Sequence, residues 1–266
     1  INLSGYTLNL AGGAFLAGLL NTTVTRIFGG TITSGISDLY VHAMNYAGSG
    51  RQLSLENSFA DGAGGPTRLI LSNSDYSPTS NWVTLSGINR QTRGTVINAG
   101  SVILSTANAD GVNAVAIPAH STDPTSTLVL VGGSVQLAGS LQIATSAIPT
   151  LKANSTLNLN NFNQPLSGLN FVNEGGTGPI FKAGDAVSYT GASTTAGDAT
   201  VTLASTAGLR VGQPFSHANV PIGSYIQQIV DGTTVILSQN ATVSGAGLTF
   251  TALGVTQLTG SISATS

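Results

Sequence analysis

Any chemistry in this chain would have to start from three histidines and ten carboxylates. His42, His120 and His217 are scattered along the sequence. A Ser–His–Asp hydrolase needs a placed base and an orienting acid, and no Gly-x-Ser-x-Gly turn presents a nucleophile here. Serine is so abundant that its nearness to a histidine in sequence carries no information. The acids form no Asp-x-Asp or Glu-x-x-Glu pair, whereas a polysaccharide lyase or hydrolase gathers several acids and a base on one face. Asp61, Asp75, Asp110, Asp123, Asp185, Asp198 and Asp231 mostly adjoin Gly, Pro or Ser, where aspartate closes Asx turns. No Gly-Gly-x-Gly-x-Asp repeat points to calcium. The glycine-rich stretches 62–65 and 175–178 lack the Gly-Lys-Ser/Thr of a phosphate loop. Arg90 and Arg93 are the residues suited to an acidic glycan or a carboxylate, with a solvated turn as the plainer reading. The reading is therefore no enzyme, with no catalytic, cofactor-binding or metal-binding residue.

The elements that would position such residues are short strands. Apolar and small polar residues alternate over four to seven positions in 6–10, 52–55, 82–86, 95–98, 101–105, 126–131, 134–138, 140–144 and 155–160. Period two with β-branched residues means strands with one buried face. No amphipathic helix of three turns is visible. The breaks are mostly Gly-Gly or Gly-Ser steps, as at Gly29-Gly30 and Gly132-Gly133, rather than the Asn-Gly and Asp-Gly of hairpins. They read as corners, and strands joined by corners stack in parallel on the next coil. Of a sandwich, an up-and-down barrel and a solenoid, the expected fold is the solenoid.

Composition narrows the classes further. The chain has 266 residues, 34 of them Gly, none Cys, and a net charge of −2. Mean hydropathy of +0.27 with so little charge argues against disorder. A pI near 5.8 argues against a nucleic-acid binder. No apolar run reaches the ~18 residues of a membrane helix. Zero cysteine removes disulfides and thiolate sites and suits a secreted bacterial-type chain. Only 18 residues are charged. In a parallel stack a repeated charge repels itself up the ladder, whereas Asn, Ser and Thr can bond along it.

The string from Trp82 to Ser105 resembles the autotransporter-associated β-strand repeat of large bacterial surface proteins. The matching positions are Leu85, Ser86, Gly87, Asn89, Gly94, Thr95, Ile97, Asn98, Ala99 and Gly100. The stretches 53–62, 155–164 and 29–35 are similar to neighbouring coils of that family, so the resemblance covers roughly 5–172. The family's Tyr-Thr-Gly turn is replaced by residues 90–94. The resemblance implies a right-handed parallel β-helix in an exported, cell-surface or fibrous protein, and no catalytic residues.

Residues 183–252 break this rhythm. Tyr225–Val230, Asp231-Gly232 and Thr233–Ser238 form a hairpin signal. The expected organisation is a β-solenoid over 1–182, a small antiparallel β-module over 183–252 and a solenoid-like strand over 253–266. Ile1 starts mid-pattern, so the chain reads as a piece of something longer or a processed subunit. Uncapped ends suggest head-to-tail assembly through Leu8, Leu10, Leu258 and Ile262. The expected function is a non-enzymatic structural segment of an extracellular surface fibre. Its partners would be copies of itself or neighbouring repeats of a longer chain, with a glycan as a further partner and no cofactor. A glycan- or host-binding adhesin and a polysaccharide-degrading enzyme are the alternatives.

Overall fold

The computed structural model describes residues 1–19, 24–45, 52–74, 82–253 and 262–265. The protein is all-β. In chain order the strands begin with β1 (Thr7–Leu10), β2 (Ala14–Leu19), β3 (Thr25–Ile27), β4 (Thr31–Ser34), β5 (Asp38–Asn45), β6 (Gln52–Leu55), β7 (Ser58–Phe59) and β8 (Arg68–Ser74). They continue with β9 (Trp82–Leu85), β10 (Thr95–Ala99), β11 (Ser101–Leu104), β12 (Leu128–Leu130), β13 (Gly133–Leu137), β14 (Thr150–Lys152), β15 (Ser155–Asn158), β16 (Leu169–Val172) and β17 (Ile180–Lys182). The last are β18 (Val187–Thr194), β19 (Thr200–Thr202), β20 (Phe215–Ser216), β21 (Ile226–Ile229), β22 (Thr234–Leu237), β23 (Gly245–Ala252) and β24 (Ile262–Thr265). The chain divides into two compact units, 1–182 with 256–266, and 183–255.

The first unit holds three parallel sheets, ordered β1-β4-β7, β2-β5-β8-β10-β12-β14-β16-β24 and β17-β15-β13-β11-β9-β6-β3. The chain alternates between the two long sheets: β10 then β11, β12 then β13, β14 then β15. Each return lands beside the previous visit, in parallel. Apolar residues therefore stack in ladders. One runs Phe15, Val41, Leu71, Ile97, Leu130, Leu151, Phe171 and Ala264. Another runs Thr25, Leu53, Val83, Val102, Val135, Leu157 and Phe181. The middle rungs of both are fully buried in one shared core. Alternation in the sequence has the cause assigned to it, since β6 and β9 bury every second residue.

Two local readings need correction. Residues 140–144 alternate like a strand but form a turn, with the isolated Ile117–Ile143 bridge in place of a strand pair. Leu141 lies in the left-handed region (φ +60°), which a strand excludes. Residues 124–126, at the head of the expected strand 126–131, form a 3-10 turn capped by Asp123.

The second unit is a six-stranded antiparallel sheet, β20-β23-β18-β19-β22-β21. An antiparallel bridge from Pro214 to Tyr225 links its two edge strands, so the sheet nearly closes on itself. β21 and β22 pair as the hairpin that Asp231-Gly232 predicts. Inside, Phe215 stacks on Phe250 at 4.6 Å and meets Tyr189 edge-on.

Candidate functional site

The surface with the clearest unmet capacity is the set of open strand edges in the first unit. β1, β2 and β3 are edge strands of the three parallel sheets. Residues 1–3 run beside the end of β3, with the Phe28 N–H donating to the Ile1 carbonyl and the Leu3 N–H to the Phe28 carbonyl. Of these three, the open edges among the described residues are therefore β1 and β2. β17 and β24 are the opposite edges of the two long sheets. A strand edge presents unpaired N–H and C=O groups to any further strand. Leu8 stacks on Ile32, which stacks on Phe59. The two inner rungs are 1% exposed and Leu8 is 39% exposed, with no further described rung stacked on it. Of the residues expected to serve assembly, Leu8 and Ile262 are exposed on edge strands. Leu10 instead packs against the core. Leu258 lies outside the described residues.

The residues of the 82–105 motif build coils and corners. Leu85 and Ile97 are core rungs. The Ser86 N–H donates to the Leu55 carbonyl at 3.0 Å. Gly87 and Gly94 pack so closely on the Asn57 and Ser126 carbonyls that a Cβ would collide with them. Buried Thr95 accepts a bond from Gln91 at 3.0 Å. Asn98 and Ala99 are exposed at the end of β10, and Gly100 makes the left-handed turn into β11. Asn89 is a staple between coils. Its Oδ1 accepts from the Phe59 N–H at 3.0 Å, and its Nδ2 donates to the Ala116 carbonyl at 2.7 Å.

Two further staples were missed in the sequence. Gln142 bonds both the N–H and the C=O of Thr106, and Gln164 does the same to Ile143. All three amides are buried. They tie successive coils where no strand pair does. The available signal was a single amide in an apolar run.

The titratable groups are dispersed. Among the described residues no three of His, Cys, Asp and Glu come together as metal ligands, and no helix is long and apolar enough to cross a membrane. Asp110, Asp123, Asp198 and Asp231 bind N–H groups two to four residues on and shape turns. Asp110 accepts from the N–H groups of Val112, Asn113 and Ala114. Asp61 reaches across coils to the Thr92 N–H and hydroxyl. Asp75 lies outside the described residues. The Ala114 and Val112 N–H groups hold the Asp110 carboxyl below its ordinary value. Hydroxyl bonds from Ser126 and Thr125 do the same for Asp123. The N–H groups of Thr200 and Thr233 depress Asp198 and Asp231.

A carboxyl depressed by folding contributes stability above its unfolded pKa and loses it as pH falls through the folded one. The melting temperature is therefore expected to hold down to about pH 4 and to fall below it. In Asp123→Asn, which keeps an acceptor but cannot ionise, the acid limb of the first unit should be flatter. A thermal-melt series against pH checks both, and an unchanged limb refutes the assignment to Asp123.

Arg90 and Arg93 do not share a site. Arg90 lines an open groove of about 460 Å3 with Glu56, Ser58 and Thr106. Arg93 turns to Asp38, at 3.4 Å. Among the described residues the other ion pairs join opposite charges on successive coils, while Arg93 reaches past the coil of Arg68 to Asp38. Asp38 and Arg68 are register partners joined by two hydrogen bonds, and Arg26 grips Glu56 through two more. That pairing removes the ladder repulsion expected from like charges.

Comparisons with protein-family models, with curated proteins and with solved structures find no match to this chain.

Proposed function

We propose that this chain is a non-enzymatic structural segment of an extracellular bacterial surface fibre. In this reading the first unit is a right-handed parallel β-helix of the autotransporter-associated repeat type, and copies join head-to-tail. The observation that carries it is the pair of open edges β1 and β2, with an apolar ladder ending at half-exposed Leu8. Every pairing in the eight-stranded sheet is parallel, including β2 with β5 and β16 with β24. The β24 edge of one copy therefore continues in the same sense onto the β2 edge of the next. Such a contact is heterologous and grows into an open filament. A net charge of −2 offers little repulsion against it.

The test uses the whole chain at rising concentration, followed by light scattering and electron microscopy. Filaments are expected. Leu8→Lys with Ile262→Lys should leave particles monomeric with an unchanged far-UV circular dichroism spectrum, because both side chains are already exposed. A native chain that stays monomeric at high concentration, or a double variant that still polymerises, overturns the proposal.

A further inference from the structure

A second cleft, independent of the strand edges, has a chemistry that the structural role does not use. It encloses about 220 Å3 and is lined by Arg68, Arg93, Val96, His120, Ser126 and Val129. Three successive coils supply it, through β8, the approach to β10, and β12 with the turn before it. Val96 and Val129 are register partners, so they form a two-rung aliphatic patch.

Above that patch the polar groups are fixed in place. Asp38 takes Arg68 by Nε at 3.1 Å and Nη2 at 2.9 Å, and Arg93 by Nη1 at 3.4 Å. One carboxylate thus holds two guanidinium groups side by side without using all their N–H donors. His120 Nδ1 accepts from the N–H groups of Thr122 and Asp123, so Nε2 carries the ring's donor. The nearby Asp123 carboxylate is occupied by the Thr125 N–H and the hydroxyls of Thr125 and Ser126.

We infer that this cleft binds a carboxylate-bearing sugar, a hexuronate unit of an acidic glycan. A carboxylate matches the fork of a guanidinium with two parallel bonds. The C–H face of a pyranose ring matches the valine patch. The volume is below the ~300–1,000 Å3 of a drug-sized site, which suits one sugar residue.

The experiment titrates the whole chain with oligogalacturonate at low salt, by calorimetry and by NMR of the arginine Nε–H signals. The methyl-esterified oligomer and a glutamate-rich peptide serve as controls. Saturable binding of the acid form is expected, with movement of the Arg68 and Arg93 signals. Arg93→Gln should weaken it at least roughly tenfold, since it removes charge-assisted bonds. Arg90→Gln removes the same charge outside the cleft and should change affinity less than about twofold. Circular dichroism confirms that both variants fold. Four results overturn the inference: no saturation, equal binding of the ester, equal loss in the two variants, or a peptide that binds as tightly as the uronate.

Discussion

Gly133→Ala is expected to destabilise the first unit by about 3 kcal/mol or more, lowering its melting temperature by roughly 6–12 °C. Gly133 opens β13 in the left-handed region, at φ +77°. That conformation alone costs an alanine about 1–2 kcal/mol. Close contact costs more: a Cβ at 133 would collide with the backbone of Gly100 in the coil before, itself left-handed at φ +82°. The two glycines are stacked corners, so one cannot relax without parting the β11–β13 pairs that follow. Gly12→Ala is the control, because a Cβ there meets nothing within 4 Å, and it should change stability by less than about 0.5 kcal/mol. Gly133→Asn separates backbone strain from collision, since asparagine tolerates φ > 0 but still carries a Cβ. An asparagine variant as stable as the native chain would refute close approach as the cause.

The corners and the inward faces of the strands were legible in the sequence, and the contacts between coils were not. Alternation located β6, β9, β11 and β15 because each has one buried face. It could not say which residue of one coil meets which of the next. Rungs of the longest ladder lie 26, 30, 26, 33, 21 and 20 residues apart, from Phe15 through Val41, Leu71, Ile97, Leu130 and Leu151 to Phe171. With no fixed period, nothing in the sequence announces that Arg93 belongs with Arg68 and Asp38. Arg90, three residues away in sequence, is the misleading neighbour. Alternation also failed at 140–144, where a polar residue between apolar ones signals an outward side chain in a strand. Here the backbone turns at Leu141, and the polar side chain goes in.

That inward side chain, Gln142, carries the other large expected effect. It is 1% exposed and stands in for a missing strand pair. Its Oε1 accepts from the Thr106 N–H at 2.6 Å, and its Nε2 donates to the carbonyls of Thr106 at 3.0 Å and Ser140 at 3.1 Å. Gln142→Leu keeps the volume and strands the N–H and C=O of Thr106, a residue itself only 4% exposed. An unmade bond to a buried group costs about 1–3 kcal/mol, so the variant should lose about 2–5 kcal/mol in urea or thermal unfolding. Gln142→Glu tests whether the amide matters as a donor as well as an acceptor. Its carboxylate still accepts from the Thr106 N–H but faces two carbonyl oxygens with no proton to offer. Burial and those carbonyls raise its folded pKa above the unfolded one. Such a group destabilises the fold at neutral pH and releases the penalty as pH falls towards its unfolded value near 4.3. The glutamate variant should therefore recover stability on acidification down to about pH 4, a range in which the native chain holds level. A leucine variant within 1 kcal/mol of the native chain, or a glutamate variant that tracks it with pH, would show that Gln142 fills space and staples nothing.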